Sequence, residues 1–175
     1  MTQAPGSLDP KLMFDHAQKF QWSQEYLRHK DRATTAEHVK MCGDPCFVLS
    51  ALASELFIKC LLVIEGKPKK EFAKVHDLYQ LFSKLTPPIQ DRIKGLWDQQ
   101  VWAQGTRDFI DYAQNTIAKG TPIPRNFASA LKLGANTFVD LRYVYEKPRN
   151  INNLIVDLPL ILRRVIVEIY PQWKS

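Results

Sequence analysis

Cysteine is scarce in this sequence, and the few cysteines follow no recognisable pattern. Only Cys42, Cys46 and Cys60 are present in 175 residues. An odd number without regular spacing excludes a disulfide-stabilised secreted module and predicts reduced thiols. His38, Cys42 and Cys46 recur every four residues, but Gly43-Asp44-Pro45 is expected to break a helix between them. Since no Cys-x-x-Cys pair or second ligand cluster follows, the sequence predicts no metal site and no cofactor.

Several catalytic and targeting motifs are also missing from the sequence. It has no glycine-rich phosphate loop and no Gly-x-Ser-x-Gly elbow, so the common nucleotide-triphosphatase and hydrolase signatures are excluded. Its N-terminal residues lack the apolar stretch of a signal peptide. The best membrane-spanning candidate, residues 47–64, is interrupted by Glu55 and Lys59. We therefore expect a cytoplasmic protein without a membrane partner.

The composition is that of an ordinary globular protein with a basic bias. Apolar residues make up 45% of the chain and charged residues 24%, and 175 residues suffice for one core. We therefore expect a single helical domain over residues 1–175. The net charge of +6 permits a phosphate-bearing partner, although a diffuse surplus of lysine is more often an adaptation for solubility.

Helix start and stop signals recur along the first half of the chain. Asp9-Pro10 predicts a helix over residues 9–32, and Thr34 with Glu37 predicts a short helical turn after it. Asp44-Pro45 predicts the start of a central helix of about twenty residues, and Gly66 predicts its end. The apolar residues of this segment place the helix at the centre of a bundle.

The second half of the chain contains further helix start and stop signals. His76-Asp77 and Thr86-Pro87 predict two further helix starts. Residues 89–118 are expected to form two helices separated at Gly105-Thr106, and 125–146 one more. The C-terminal segment is rich in Val and Ile, which suit a strand as well as a helix, and we favour a helix over 158–172. The prediction is an all-α bundle of five to six helices.

Glu55 and Lys59 share one face of the predicted central helix. Burying such a pair in a dry interface costs several kcal/mol that good geometry only partly recovers. One interpretation places the pair on the wall of a polar groove, where Lys59 meets a phosphate and Glu55 orients a basic partner such as Arg142. The other is an ordinary i,i+4 ion pair at the edge of the bundle, worth a few tenths of a kcal/mol.

The central helix and its surroundings resemble the HEPN domain family. In that family the central helix carries a Glu-x-x-x-Lys pair and is followed, across a short basic loop, by a His-Asp-Leu helix start. The counterparts here are Glu55, Lys59 and His76-Asp77-Leu78. The resemblance covers residues 44–147 and implies a HEPN-like helical bundle that forms a homodimer.

Arg142 stands where active members of the family place an arginine, with a histidine after a gap of four to six residues. In this chain the corresponding positions hold Lys147, Pro148 and Arg149. In active members, the arginine and histidine of two protomers converge at the dimer interface and cleave RNA without a metal. The resemblance thus implies that Arg142 stabilises charge on a phosphate, and it leaves the proton carrier unassigned.

The chemistry of the residues adds to this assignment. Guanidinium is a rigid donor fork for phosphate, so Arg142 is the best phosphate ligand, and His76 is a candidate proton carrier because histidine titrates near neutral pH. In a plainer interpretation Asp77 only caps a helix, and Arg142 pairs with Asp140 or Glu146. The candidate catalytic residues are Arg142 and His76, and the candidate ligand-binding residues are Glu55, Lys59, Arg142, Tyr145, Glu146, Lys147 and Arg149.

Three functional hypotheses follow from these observations. The favoured one is a HEPN-like module that holds RNA or a nucleotide without turning it over, in a prokaryotic defence or toxin–antitoxin system. Its expected partners are a second copy of the chain and an antitoxin or nucleotidyltransferase. The alternatives are a metal-independent ribonuclease, in which Arg142 works with His76 as proton carrier, and a dimerisation scaffold without a ligand.

Overall fold

The computed structural model describes residues 8–29, 36–101, 103, 124–142 and 155–174, and all regular structure within these ranges is helical. The predicted all-α class is therefore confirmed. These ranges contain seven α-helices: α1 (Pro10–His29), α2 (Ala36–Ile64), α3 (Leu78–Ser83), α4 (Pro87–Val101), α5 (Phe127–Gly134), α6 (Thr137–Arg142) and α7 (Leu158–Ile169). Two short 3₁₀ turns span Lys69–Glu71 and Pro171–Trp173.

The long helix α2 is the centre of the fold. It packs against α1, α3, α6 and α7, and its most extensive contact is with α1. Cys46 lies beside the carbonyl of Gln24, and Cys60 beside that of Pro10, so the two helices run antiparallel. The core of completely or almost completely buried side chains comprises Phe14, Phe57, Ile58, Leu61, Leu62, Phe72, Leu78, Leu81, Ile93, Leu131, Ile155 and Leu158.

The predicted start of the central helix was wrong. The helix begins at Ala36 and contains Pro45, whereas the sequence predicted that Asp44-Pro45 opens it. A proline inside a helix removes one backbone hydrogen bond and costs about 3 kcal/mol. The long apolar face of α2, packed against α1, outweighs this cost. The predicted helix break between His38 and Cys46 is therefore absent, and these positions lie on one continuous helix.

The other predicted helix boundaries around α2 are confirmed. The Asp9 carboxylate accepts hydrogen bonds from the N–H groups of Lys11 and Leu12, at 2.8 and 3.2 Å, at the start of α1. Gly66 follows the end of α2 with a φ of 72°, a left-handed conformation that glycine adopts without strain. Asp77 caps α3 by accepting a hydrogen bond from the N–H of Gln80 at 2.7 Å.

The start of α4 is tied to the end of α2. α4 begins at Pro87, as predicted from Thr86-Pro87. The Glu65 carboxylate accepts hydrogen bonds from the N–H of Thr86, at 3.0 Å, and from its hydroxyl. A carboxylate at a helix N-terminus satisfies free backbone donors and opposes the positive end of the helix dipole. Glu65 thereby fixes the turn between α3 and α4 against α2.

One predicted helix, over 125–146, is two helices in the structure. α5 ends at Gly134 and α6 begins at Thr137. The carbonyl of Ala135 between them accepts a hydrogen bond from the N–H of Leu78 at 3.0 Å. Glycine is a poor helix former, and this tertiary bond satisfies a carbonyl at the broken helix end. The chain therefore does not form one uninterrupted helix over this range.

The C-terminal segment is helical rather than extended. α7 covers Leu158–Ile169 with Pro159 in its first turn, where proline is tolerated. The helix ends three residues before the predicted boundary, and the chain continues into the short turn at Pro171–Trp173. The indole of Trp173 then packs against Phe14, with ring centroids 5.5 Å apart. This contact fastens the C-terminus to α1.

Some predictions fall on parts of the chain that the structure does not describe. They are the capping-box residue Thr34, the helix break at Gly105-Thr106, the second helix within 89–118 and the end of the 125–146 helix. The HEPN-like arrangement of the bundle, the homodimer and the single domain stay predictions.

One described helical segment, Pro45–Ile64, is long and apolar enough to cross a membrane. Within this segment 61% is buried inside the protein, and it contains Glu55 and Lys59. A single helix of this kind is a weak indication, because the core helix of a soluble protein passes the same test. The cytoplasmic location therefore stays a prediction.

Candidate functional site

The Glu55–Lys59 pair lies inside the protein. The two residues are only 5% and 7% exposed, and the Lys59 ammonium donates a hydrogen bond to Oε1 of Glu55 at 2.8 Å. The predicted i,i+4 pairing is therefore present, but in the interior rather than at the edge of the bundle. A buried pair needs further hydrogen bonds to offset its lost hydration. Both members of this pair have one.

The additional partner of Glu55 is His76. Its ring atom Nδ1 lies 3.0 Å from Oε1 and 3.2 Å from Oε2 of the carboxylate. An ionised carboxylate only accepts, so the contact is a hydrogen bond when Nδ1 carries the proton. The side chain of His76 is 54% exposed, in contrast to Glu55. His76 is thus the exposed member of a polar triad formed by Glu55, Lys59 and His76.

The additional partner of Lys59 is the loop that joins α2 to α3. The ammonium donates a second hydrogen bond to the carbonyl of Ala73 at 3.1 Å. The neighbouring Phe72 is 1% exposed and belongs to the hydrophobic core. The loop is therefore fixed at three successive points: the Phe72 ring, the Ala73 carbonyl and the His76 imidazole.

This loop carries a concentration of positive charge. Residues 67–74, which we call the basic loop, contain four lysines and one glutamate, which is half of the net charge of +6. Lys69, Lys70 and Lys74 are exposed, and Lys67 is half-buried. Within the described ranges, no hydrogen bond or ion pair engages the side chains of these lysines. The charge of the basic loop is consequently available to an anion.

The arginine of the predicted site is close to the same helix, but its contacts lie outside the described structure. Arg142 is the last residue of α6, which packs on α2. Its side chain is not among the described ones, so its predicted pairing with Asp140 or approach to Glu55 is untested. The other predicted ligand residues, Tyr145, Glu146, Lys147 and Arg149, also lie outside the described residues.

The structure adds residues that the sequence reasoning did not single out. The sequence shows a basic loop before His76, but it does not indicate that the Ala73 carbonyl is the second acceptor for Lys59. Phe72 is a recognisable signal in retrospect, because it is an apolar residue among charged neighbours. A single core side chain in a charged loop predicts that the loop folds back onto the core.

The triad has the geometry of an oriented acid–base group. A carboxylate that holds one ring nitrogen of a histidine fixes the orientation of the imidazole and leaves the other nitrogen for a ligand. Here Glu55 holds Nδ1, and Nε2 is the remaining nitrogen of an exposed ring. Lys59 meets two partners inside the protein, so its geometry favours an indirect effect on a ligand through the basic loop. Direct phosphate binding by Lys59 stays a prediction.

Cys60 follows Lys59 in the sequence, and its thiol is unreactive. Its thiol is completely buried and lies 3.1 Å from the carbonyl of Pro10. Burial, together with the carboxylates of Asp9 and Asp15, raises the pKa of the Cys60 thiol from 9.0 to about 12. A thiol must lose its proton to act as a nucleophile or metal ligand. Cys60 is therefore a packing residue.

The described side chains form no group of three or more His, Cys, Asp and Glu that suits a metal ion. The side chains of His38 and Cys42, which share α2 with Cys46, are outside the described set. The absence of a metal site accordingly stays a prediction.

A cleft of about 350 Å³ lies away from the triad, between α4 and α7. It is lined by Leu96, Gln99, Gln100, Leu160, Ile161 and Arg164. Its single charged group, Arg164, contacts Glu168, whose hydrogen bonds with Arg92 lower the pKa of that carboxyl. The cleft offers neither an acid–base pair nor a free cation, so the triad and the basic loop are the better candidate site.

Comparisons of this chain with protein-family models, with curated proteins and with solved structures found no match. The functional proposals therefore draw on the residues of the site and on the resemblance noted in the sequence.

The energetic coupling within the buried pair can be measured with a double-mutant cycle. We expect Lys59→Met alone to lower the free energy of unfolding by about 3 kcal/mol, because it leaves the Glu55 carboxylate buried with one partner fewer. Glu55→Leu with Lys59→Met should cost less than the sum of the single changes, with a coupling of about 1 to 3 kcal/mol. Urea unfolding of the four proteins gives these values.

The exposed pair Lys94–Asp91, 3.2 Å apart, is the control for this cycle. Substituting both residues with Ala should reveal a coupling below about 0.5 kcal/mol, since surface ion pairs are screened by solvent. Equal coupling in the two pairs would show that burial adds nothing to the Glu55–Lys59 interaction.

The raised pKa of Cys60 predicts a loss of stability at alkaline pH. The unfolded thiol ionises near 9.0 and the folded thiol near 12, so the unfolded state binds fewer protons between these values. The contribution of the protonated thiol to the free energy of unfolding is fully present below pH 9 and declines as the pH rises towards the pKa of the folded state. Relative to Cys60→Ala, the wild type should lose about 2 kcal/mol by about pH 10.5. Parallel pH profiles of urea unfolding for the two proteins would contradict the assignment.

Proposed function

We propose that this chain is a HEPN-like module that associates with RNA or a nucleotide, without turnover or with a degenerate active site. The observation that carries the proposal is the exposed imidazole of His76, held by the buried carboxylate of Glu55. Burying Glu55 and Lys59 costs free energy, and the arrangement holds an exposed, oriented histidine beside lysines that have no acidic partner among the described residues. Oriented donors with unpaired positive charge favour a phosphate ligand.

Arg142 is assigned to the same ligand by its position in the chain. It ends α6, and α6 packs on α2, the helix that carries Glu55 and Lys59. The junction just before α6 also accepts the hydrogen bond from Leu78, two residues after His76. This proximity of the two segments supports a shared site. Tyr145, Glu146, Lys147 and Arg149 follow Arg142 and are proposed as further ligand contacts on the basis of the sequence.

A metal-independent ribonuclease is the second candidate function. The observation that favours it is the Glu55–His76 contact, because a carboxylate-oriented histidine is the usual form of a general acid or base. In this proposal His76 takes the proton of the attacking 2′-hydroxyl, and the 2′-oxygen bonds to phosphorus as the P–O5′ bond breaks. The departing 5′-oxygen takes up a proton from water, and Arg142 stabilises the charge that develops on the phosphate. His76 then replaces the histidine that is missing after Arg142.

The biological setting that we propose is prokaryotic defence or a toxin–antitoxin pair, with a homodimer as the working form. An antitoxin or a nucleotidyltransferase is the corresponding heterologous partner. This part of the proposal follows the resemblance of the sequence to the HEPN family. The third hypothesis, a dimerisation scaffold without a ligand, is the one that remains if the tests contradict both candidate functions.

The test is the fate of a mixed RNA pool incubated in EDTA with wild type, Arg142→Ala, His76→Ala and His76→Gln. We expect wild type to retain RNA on a filter without cleaving it, and Arg142→Ala to lose retention at moderate salt. A denaturing gel reports cleavage in the same samples. Circular dichroism confirms that each variant is folded.

The remaining outcomes separate the alternatives. Cleavage by wild type that is lost in His76→Ala and in His76→Gln, with a pH–rate profile that depends on His76, would establish the ribonuclease instead. Neither cleavage nor retention of RNA by wild type, together with a dimer in sedimentation analysis, would leave the scaffold and contradict both proposals.

A further inference from the structure

We infer that the basic loop, residues 67–74, is a binding site for the phosphate backbone of a polynucleotide, and that the ligand is a strand rather than a mononucleotide. This inference rests on the proposed function and names the ligand class and the contact surface. Neither the triad nor Arg142 by itself distinguishes a nucleotide from a strand.

The first step of the argument is the distribution of charge. Lys69, Lys70 and Lys74 lie within six residues and are exposed, with Glu71 as the only acidic residue among them. None of the three lysines engages in an ion pair in the described ranges. Neighbouring like charges repel one another in the free protein. An anion with several phosphates relieves this repulsion and releases its own counterions.

The second step is the rigidity of the backbone that carries these lysines. The N–H groups of Phe72 and Ala73 both donate to the carbonyl of Lys69, at 3.2 and 2.9 Å. The N–H of Val75 donates to Phe72 at 3.0 Å. Together with the hydrogen bond from Lys59 to Ala73, these contacts fix the loop before a ligand arrives. A prearranged surface loses less entropy on binding than a mobile loop does.

The third step concerns the shape of the surface. A nucleotide site normally encloses the base in a concave pocket, whereas a strand needs only cations spaced along its backbone. One cleft among the described residues lies between α4 and α7 and contains no lysine. The lysines of the basic loop project outward, with side chains more exposed than those of the core residues beneath them. This surface suits successive phosphates of a strand.

The loop also leads directly to the triad. Lys74 is two residues before His76, and the carbonyl of Ala73, next to Lys74, is the acceptor for Lys59. A strand lying on the basic loop therefore passes the exposed imidazole. In this arrangement the loop supplies affinity, and His76 meets one particular phosphate or ribose.

The test is fluorescence anisotropy with a length series of labelled oligouridylates and oligothymidylates, in EDTA, over a range of KCl concentrations. Affinity should rise with length, and free UMP should compete poorly. Each lysine–phosphate contact contributes about −0.7 to the slope of log K against log salt, so Lys69→Gln with Lys70→Gln should make the slope shallower by about 1.4. The RNA and DNA arms show whether the 2′-hydroxyl contributes.

The matched control is Lys19→Gln with Lys174→Gln, which removes the same charge from exposed positions on α1 and at the C-terminus. This variant should keep the wild-type slope. An equal change of the salt slope in both double variants would show that the effect depends only on net charge, and it would overturn the inference. All substituted lysines are exposed, so thermal unfolding should give similar midpoints for the three proteins.

Different experimental results would overturn this inference and the proposed function. If UMP competes as well as long strands and the loop variant binds like wild type, the nucleotide proposal stands and the inference is overturned. If binding depends on the loop lysines but is unchanged in His76→Ala and Arg142→Ala, the inference stands and the proposed triad site falls. If wild type binds neither strands nor nucleotides, both are overturned.

Discussion

The buried ion pair between Glu55 and Lys59 is the constraint on which the rest of the site depends. Two charges inside a helix-packing interface lose hydration worth several kcal/mol each, so each needs partners beyond the other. Glu55 finds its additional partner in His76, and Lys59 finds one in the Ala73 carbonyl. Both partners belong to the connection between α2 and α3. The requirement to satisfy two interior charges thus determines where that connection lies.

The buried Glu55–Lys59 pair lowers the stability of the core and at the same time organises the exposed surface around His76 and the basic loop. Leucine or methionine in place of the pair would pack the same space without desolvated charges, as replacements of buried ion pairs in other proteins indicate. The pair instead orients an exposed imidazole and fixes a loop whose lysines have no ion-pair partner in the described part of the chain. Residues that weaken the core but organise the surface are typical of a binding or catalytic site. This relation supports the proposal of a phosphate ligand at the site.

Much of the fold could be predicted from the sequence, because helix termini depend on local chemistry. Asp9 and Asp77 accept hydrogen bonds from helix N–H groups, Gly66 is left-handed after α2, and Pro87 opens α4, as their side chains or backbone preferences indicate. Pro45 was misinterpreted because packing along α2 outweighs the local penalty of a proline. The break between α5 and α6 was missed for a similar reason, since it depends on a hydrogen bond between distant residues.

The candidate site could be predicted only in part. The i,i+4 spacing of Glu55 and Lys59 is visible in the sequence, and so is the helix start after His76. The contact between Glu55 and His76 joins residues twenty-one positions apart, and local sequence patterns do not reveal contacts over such a separation. The role of Ala73 was inaccessible for a different reason. Its carbonyl is a backbone group that every residue type carries, so no side-chain pattern identifies it as the acceptor for Lys59.

The most direct test of this account is backbone hydrogen exchange in the wild type and in Lys59→Met. If Lys59 holds the loop, the N–H groups of Ala73 and Val75, which bond within the loop at 2.9 and 3.0 Å, should lose protection in the variant. The amides of α7 serve as the internal reference for any global loss of stability. Faster exchange at Ala73 and Val75 relative to α7 is the expected result. Unchanged relative protection would mean that the buried pair does not organise the surface and would contradict the account.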